Sequence, residues 1–181
     1  MNSRMTGLTG WGIAGALGVG WALIWCTGLR LNTSASIPVG LWREISVNRA
    51  IHRGDTVSIC PDDSAVIRLA KARGYLNGGW CPGNSEILFK PVAAVAGDVV
   101  DIDSTGIRVN GTWVPKSAAL PADGKGRRLP AVASGRYVVG EGELWLVSAT
   151  NDHSFDSRYF GPIRLSAVRG LLSPLWLKPA W

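Results

Sequence analysis

The segment Asn32-Thr33-Ser34-Ala35-Ser36-Ile37-Pro38-Val39-Gly40-Leu41-Trp42 begins where a long uncharged N-terminal run stops and a polar, strand-rich chain starts. Pro38 fixes its own φ and pushes the residue before it toward extended backbone. The stretch around Ser36 is therefore stiff and not helical, which suits a hydroxyl held in place for attack. On an extended strand Ser34, two residues earlier, points to the same side and offers a second hydroxyl beside it. The same letters also read as a Ser/Thr-rich linker leaving a membrane helix. Short Ser-x-Pro matches are common, so this stretch is weighed with the rest of the chain.

Upstream, no residue from Met5 to Leu29 carries a charge, and Arg4 and Arg30 bracket the run. As a helix it would extend about 37 Å, enough for a hydrocarbon core of about 30 Å. Its glycines at 7, 10, 12, 15, 18 and 20 weaken a helix in water and are tolerated in lipid. Trp11, Trp21, Trp25 and Trp42 flank it with indoles that favour a membrane interface. A cleavable signal peptide has a shorter apolar core with small residues at the cut, and Trp25 before Cys26 argues against a lipoprotein cysteine. The expectation is an uncleaved signal-anchor with a cytoplasmic stub over residues 1–31, in contact with membrane lipid, and one domain over 32–181. The flanking charges are too even to orient it.

The 181 residues carry a formal net charge of +6. Arg49, Arg53, Lys71, Arg73, Arg127, Arg128, Arg136 and Arg169 are scattered rather than massed in a basic stripe interleaved with aromatics, and no nucleic-acid partner is expected. With Cys26 in the apolar run, Cys60 and Cys81 remain as a pair, each followed by proline. Two cysteines in a small domain fit a disulfide in an oxidising compartment, closing a loop worth about 3 kcal/mol. Zinc is the rival, but His52 and His153 lack ligand spacing, and no metal site is expected. An exported domain is the reading that follows.

Beyond residue 40 the pattern is mainly short strands. Residues 55–60 alternate polar and apolar. Asp62-Asp63 is positioned to cap a short helix carrying Val66, Leu69, Ala70 and Arg73, closed by Gly74. Residues 86–95 form a strand broken at Gly97-Asp98. Strands over 99–102 and 106–114 follow, the second folding back at Asn110-Gly111 through a type I′ turn. Residues 116–135 have turn composition and read as an exposed excursion. Residues 136–148 read as paired strands around Gly140-Glu141-Gly142. The expected fold class is mainly β, an N-terminal transmembrane helix followed by an antiparallel β domain.

Two further elements bear on chemistry. Lys90 stands in Ile87-Leu88-Phe89-Lys90-Pro91-Val92. A lysine on a strand is usually solvated. Apolar neighbours allow the other case, in which burial lowers its pKa from about 10.4 toward 7–8 at a cost of about 3–5 kcal/mol, leaving a neutral general base. Serine paired with lysine is a known variant of serine hydrolase chemistry. In Asn151-Asp152-His153-Ser154-Phe155-Asp156-Ser157-Arg158, Asp156 and Arg158 share a face of a strand and pair, with Ser154 on the same face. His153 alternates away from Ser154 and Asp156, which disfavours a Ser-His-Asp triad.

Taken in order, Ser-x-Pro after one membrane helix, a lysine leading into VAAVAGD, and SFDSRYFGPI resemble the type I signal peptidases. More closely, NTSASIPVGLW, the two Cys-Pro pairs, ARGYLNGGWCPG and the closing SPLW resemble the TraF-type conjugative-transfer peptidases, over nearly everything after residue 30. The resemblance implies Ser36 as nucleophile and Lys90 as general base. It implies an oxyanion hole from the backbone N–H of Ser36 and the hydroxyl of Ser34, with Asp156 and Arg158 bracing the lysine and Ser154 bonding to it. Gly97 and Asp98 fall on the turn after the lysine strand and read as structural. Ile37 stands where Met is usual, Pro91 where Arg is usual, and Ser148-Ala149-Thr150 where leader peptidases have Gly-Asp-Asn. The last two shift the reading toward the conjugative branch. The expectation is a membrane-anchored serine endopeptidase, without cofactor, that processes a precursor pilin by cleavage, with or without cyclisation of the product. It would sit in the bacterial inner membrane with its catalytic domain on the periplasmic side, beside a conjugative secretion apparatus. A small side chain before the scissile bond would fit a shallow pocket made by Ile37 and its neighbours. The alternatives are a general signal peptidase acting on other exported polypeptides, and a non-catalytic anchored assembly module.

Overall fold

Strands dominate the residues that the computed structural model describes, 27–179. In chain order they run β1 (Leu29–Asn32), β2 (Gly40–Ile45), β3 (Thr56–Ile59), helix α1 (Ala65–Ala72), β4 (Leu88–Val95), β5 (Val99–Asp103), β6 (Gly106–Val109), β7 (Thr112–Trp113), β8 (Gly135–Val138), β9 (Glu143–Leu146), helical turn α2 (Ser157–Phe160), β10 (Ile163–Arg164) and β11 (Val168–Leu177). A seven-stranded sheet has the order β1-β2-β11-β3-β4-β9-β10, and a four-stranded sheet the order β7-β6-β5-β8. All of these pairings are antiparallel. The expected membrane span lies outside the described residues as far as Cys26, and its last residues, Thr27 to Leu29, form a turn and the start of β1. Among the described residues no helix is long and apolar enough to cross a membrane.

The sheet begins earlier than hydropathy suggests. Leu29 to Asn32 pair with Arg43 to Gly40, so among the described residues the sheet begins at Leu29, within the segment read as anchor. Gly28 (φ +68) makes the entry, because a Cβ there would lie 2.3 Å from the carbonyl oxygen of Glu44. The first helix also differs in its start. Its cap is Ser64, whose Oγ accepts from the N–H of Ile67, rather than Asp62-Asp63. Its end at Gly74 is as expected: Gly74 and Tyr75 donate to the carbonyls of Lys71 and Ala70, the pairing of a left-handed C-terminal cap. Asn110 and Gly111 both have positive φ and join β6 to β7, the conformation a type I′ turn requires.

Two expectations from local pattern are corrected by packing. Residues 136–148 do not fold back on themselves: β8 pairs with β5 in the small sheet, while β9 pairs with β4 and β10 in the large one. The run Leu144-Trp145-Leu146-Val147 is apolar on both faces. Leu144 and Leu146 join a core with Val57, Ile59, Ile67, Leu88 and Val92, and Trp145 and Val147 join a second core with Ala94, Val100, Ile107 and Val109. A strand between two cores needs neighbours on both sides, which a local hairpin cannot supply. Residues 116–134 have no regular strand or helix, yet they lie along the domain rather than standing off it. Arg158 donates to the carbonyl of Lys116 at 2.9 Å, Leu120 N–H donates to Tyr159 Oη at 3.0 Å, and Val132 N–H donates to the Arg158 carbonyl at 2.9 Å. Side-chain and backbone groups of the helical turn thus satisfy backbone that has no ladder of its own.

Candidate active site

Ser36 sits at the tip of the hairpin joining β1 to β2, in a tight turn rather than on extended backbone. The turn is shaped by two side chains that local pattern did not single out for a role. Asn32 is buried at 3 % exposure, and its Nδ2 donates to the carbonyls of Ser34, Ile37 and Pro38 at 2.8, 3.0 and 3.1 Å. Its Oδ1 accepts the N–H and the hydroxyl of Ser34 at 3.1 and 2.9 Å. From the opposite side Ser148 Oγ donates to the Ser36 carbonyl at 2.9 Å. Asparagine folding back onto backbone two residues ahead is a turn signature that a reader of sequence could have used for Asn32. Ser148 was visible only as a departure from the leader-peptidase pattern. Ile37 does not shape a substrate pocket as expected; it is buried with Trp42 and Leu172 under the hairpin.

Lys90 comes from β4, whose residues alternate inward and outward. It takes the inward position between Leu88 and Val92, both members of the main core, and is 4 % exposed. Its amine donates to Ser36 Oγ and to Ser154 Oγ, each at 2.8 Å, and the two hydroxyls are 3.1 Å apart. Burial is the largest influence on this amine and lowers its pKa from 10.5 to about 8; Asp156 and Glu86 oppose the fall, and Arg158 assists it. A neutral amine at that distance has its lone pair available to the Ser36 proton, the geometry a general base requires.

Ser154, Asp156 and Arg158 arrive together through the loop and turn before β10. Asp156 is the N-terminal cap of α2, not a strand residue, and its carboxylate accepts from the Arg158 backbone N–H. The expected pair does form, in two-pronged geometry: Arg158 Nε to Asp156 Oδ1 at 2.8 Å and Nη2 to Oδ2 at 2.9 Å, with both side chains essentially inaccessible. Asp156 also receives the N–H of Ser148, and Arg158 donates to the carbonyl of Ser154 at 2.8 Å. The pair therefore ties the segment carrying Ser154 to the end of β9, beside Lys90. His153 is largely exposed, and its Nε2 lies 3.9 Å from Asp152 Oδ1, on the same loop.

A cavity of about 490 Å³ opens over these groups. Thr33, Ser34 and Ser36 form one side, Leu88 to Lys90 another, and Leu120, Asp123 and Leu129 of the 116–135 segment a third. The Tyr75 hydroxyl donates to Asp123, which also takes Arg127, so that wall is pinned. Cys60 and Cys81 are joined in a disulfide, with Cα atoms 5.2 Å apart. The bond links the end of β3 to the loop that runs through Glu86 into β4.

A buried amine thus lies between two hydroxyls at the floor of a cleft on an antiparallel β domain. The chain belongs to the signal peptidase family, peptidase S26, which it matches over residues 12–176. It is 42 % identical over 166 residues to the plasmid transfer protein TraF of Escherichia coli, covering 88 % of this chain and 92 % of that one. The conjugal transfer protein TraF of Agrobacterium fabrum is 39 % identical over 173 residues, covering 96 % and 94 %. A probable conjugal transfer protein TraF of Sinorhizobium fredii is 41 % identical over 147 residues, covering 81 % and 76 %. Among solved structures, a signal peptidase I from Enterococcus faecalis aligns with a TM-score of 0.40 and 17 % identity, over 69 % of this chain and 98 % of that one.

Proposed function

We propose that the protein is a membrane-anchored serine endopeptidase that processes a precursor pilin for conjugative transfer, with Ser36 as nucleophile and Lys90 as general base. The observation that carries this reading is the 2.8 Å contact between a buried amine and the Ser36 hydroxyl. Neutral Lys90 takes the Ser36 proton as Oγ bonds to the peptide carbonyl carbon. The backbone N–H of Ser36 and the hydroxyl of Ser34 steady the charge on the carbonyl oxygen, each such donor contributing about 3 kcal/mol. The C–N bond then breaks, Lys90 returns the proton to the leaving amine, and an ester to Ser36 remains. Water, or the N-terminal amine of the same polypeptide, attacks that ester and gives a linear or a cyclic product. Ser154, Asp156 and Arg158 hold the amine and its surroundings. No cofactor enters.

Conjugation is supported by the names of the relatives, and the inner membrane with a periplasmic domain by the uncharged run and the disulfide. The sheet surface at β1, which follows the run in sequence, also favours a bilayer. Leu31, Leu41 and Trp176 form one cross-strand row, with Leu31 70 % and Trp176 60 % exposed. The test is to incubate membranes containing wild type, Ser36→Ala or Lys90→Ala with precursor pilin and, separately, with a leader-bearing exported protein, and to weigh the products by mass spectrometry. Wild type should convert the pilin and leave the leader substrate, and either variant should lose at least about 10³-fold in rate. A variant that still converts pilin overturns the dyad. A wild type that prefers the leader substrate overturns the conjugative reading.

A further inference from the structure

Every polar atom of the Asn32 carboxamide is in use, and its orientation is settled by its neighbours. The carbonyls of Ser34, Ile37 and Pro38 can only accept, and the backbone N–H of Ser34 can only donate. The nitrogen therefore faces the three carbonyls and the oxygen faces Ser34. An amide oxygen has no proton to give. The hydroxyl of Ser34, 2.9 Å from it, must then be the donor, and its proton points at Asn32. Ser34 is exposed and lines the cavity over Ser36, so at rest it presents lone pairs, not a proton, to anything bound there. A lone pair repels a developing oxyanion.

We propose that Asn32 is a positioning residue that acts through Ser34: its carboxamide fixes the Ser34 side chain at the cavity edge and holds the hydroxyl proton in reserve until a substrate oxygen gains negative charge. A charged acceptor binds a hydroxyl proton about twice as strongly as a neutral one. The proton therefore transfers its hydrogen bond from Asn32 Oδ1 to the oxyanion only as the tetrahedral intermediate forms. In that exchange Asn32 Oδ1 keeps the Ser34 N–H, and the three carbonyl contacts keep the turn closed. The donor is thus placed at all times and engaged only in the transition state, the differential binding that raises a rate constant rather than an affinity. This rests on the Ser36–Lys90 reading above.

The experiment uses the full chain in detergent and a penem ester as acylating probe, with labelling of Ser36 followed by intact mass over a range of probe concentrations. Asn32→Ala and Ser34→Ala should each lower the limiting acylation rate about 100-fold, with half-saturation changed less than about 3-fold. The double variant should be no more than about 3-fold slower than either single one, because both remove the same placed donor. The pH at which labelling reaches half its plateau should stay at the wild-type value, since Lys90 is untouched. Multiplying losses, near 10⁴-fold in the double variant, or a loss carried by half-saturation, would overturn the role of Asn32. If circular dichroism shows Asn32→Ala unfolded, Asn32→Asp runs the same cycle: its carboxylate is a charged acceptor that keeps the Ser34 proton from the oxyanion, so the same loss and the same non-additivity with Ser34→Ala are expected. A wild type that takes no label, or a Ser36→Ala chain that does, overturns the dyad itself. A Ser34→Ala chain at wild-type rate overturns Ser34 as donor and Asn32 with it.

Discussion

Replacing Lys90 with methionine tests the electrostatics of the site in two independent ways. The amine is 4 % exposed, and burial brings its pKa from 10.5 to about 8. At pH 7 about a tenth of the molecules then hold a neutral base, roughly 300-fold more than an unshifted lysine would allow. The rate constant kcat/KM should rise with unit slope up to about pH 8 and level off above it. The same shift carries a stability cost of about 3 kcal/mol. Below about pH 8 folded and unfolded chains both hold the Lys90 proton, and the folded state bears the full cost of a buried cation. Between about 8 and 10.5 only the unfolded chain holds it, so folding stability climbs with pH. Above 10.5 the cost is gone. Lys90→Met removes the charge and keeps the volume, so it should be inactive, more stable than wild type at pH 7 by up to about 3 kcal/mol, and level with it near pH 11. Denaturant unfolding of both chains at several pH values gives the difference directly, cancelling all other titrating groups. An activity limb near pH 10.5, or a stability difference that stays flat from pH 7 to 11, would refute a buried neutral base.

Two other outcomes follow from the same geometry. Asp156→Asn leaves Arg158, 2 % exposed, without its countercharge, and should cost about 3–5 kcal/mol in denaturant unfolding. It also removes an influence that raises the Lys90 pKa while leaving Arg158, which lowers it, so the acid limb of the activity profile should move to lower pH in molecules that remain folded. Cys60→Ser, Cys81→Ser and the double variant should each lose about 3 kcal/mol, the loop entropy expected for a separation of 21 residues, and reductant should lower wild type to the same level. Stability unchanged by reductant would show the bond contributes nothing to the fold.

How legible the site was depends on how local each cue is. Proline geometry and an apolar strand frame made Ser36 and Lys90 eligible, and the ordered resemblance of three separate motifs singled them out. The Asp156–Arg158 pair was legible as a pair, yet its backbone was not: an aspartate that caps a helical turn and an arginine two residues on look like strand neighbours by spacing alone. Asn32 carried a local turn cue that went unused, since all its partners lie within six residues, whereas Ser148 has none, because it bonds to the Ser36 turn across 112 residues. The segment 136–148 misled for a related reason. Its glycines mark a turn, but which strand each arm joins depends on cores assembled elsewhere.

By itself the chain's order of residues determined an antiparallel β character, an uncharged run ahead of it and a Cys60–Cys81 pair through short-range rules of dihedral preference, alternation and composition, while Ser36 and Lys90 were carried by the ordered resemblance of three separate motifs. Tertiary structure alone decided that the amine of residue 90 faces inward, that it meets the hydroxyls of residues 36 and 154 at once, and that burial lowers its pKa. The physical reason is range. Dihedral preferences act between neighbours, whereas desolvation is a sum over everything packed around a group, and that sum exists only once the sheet has closed.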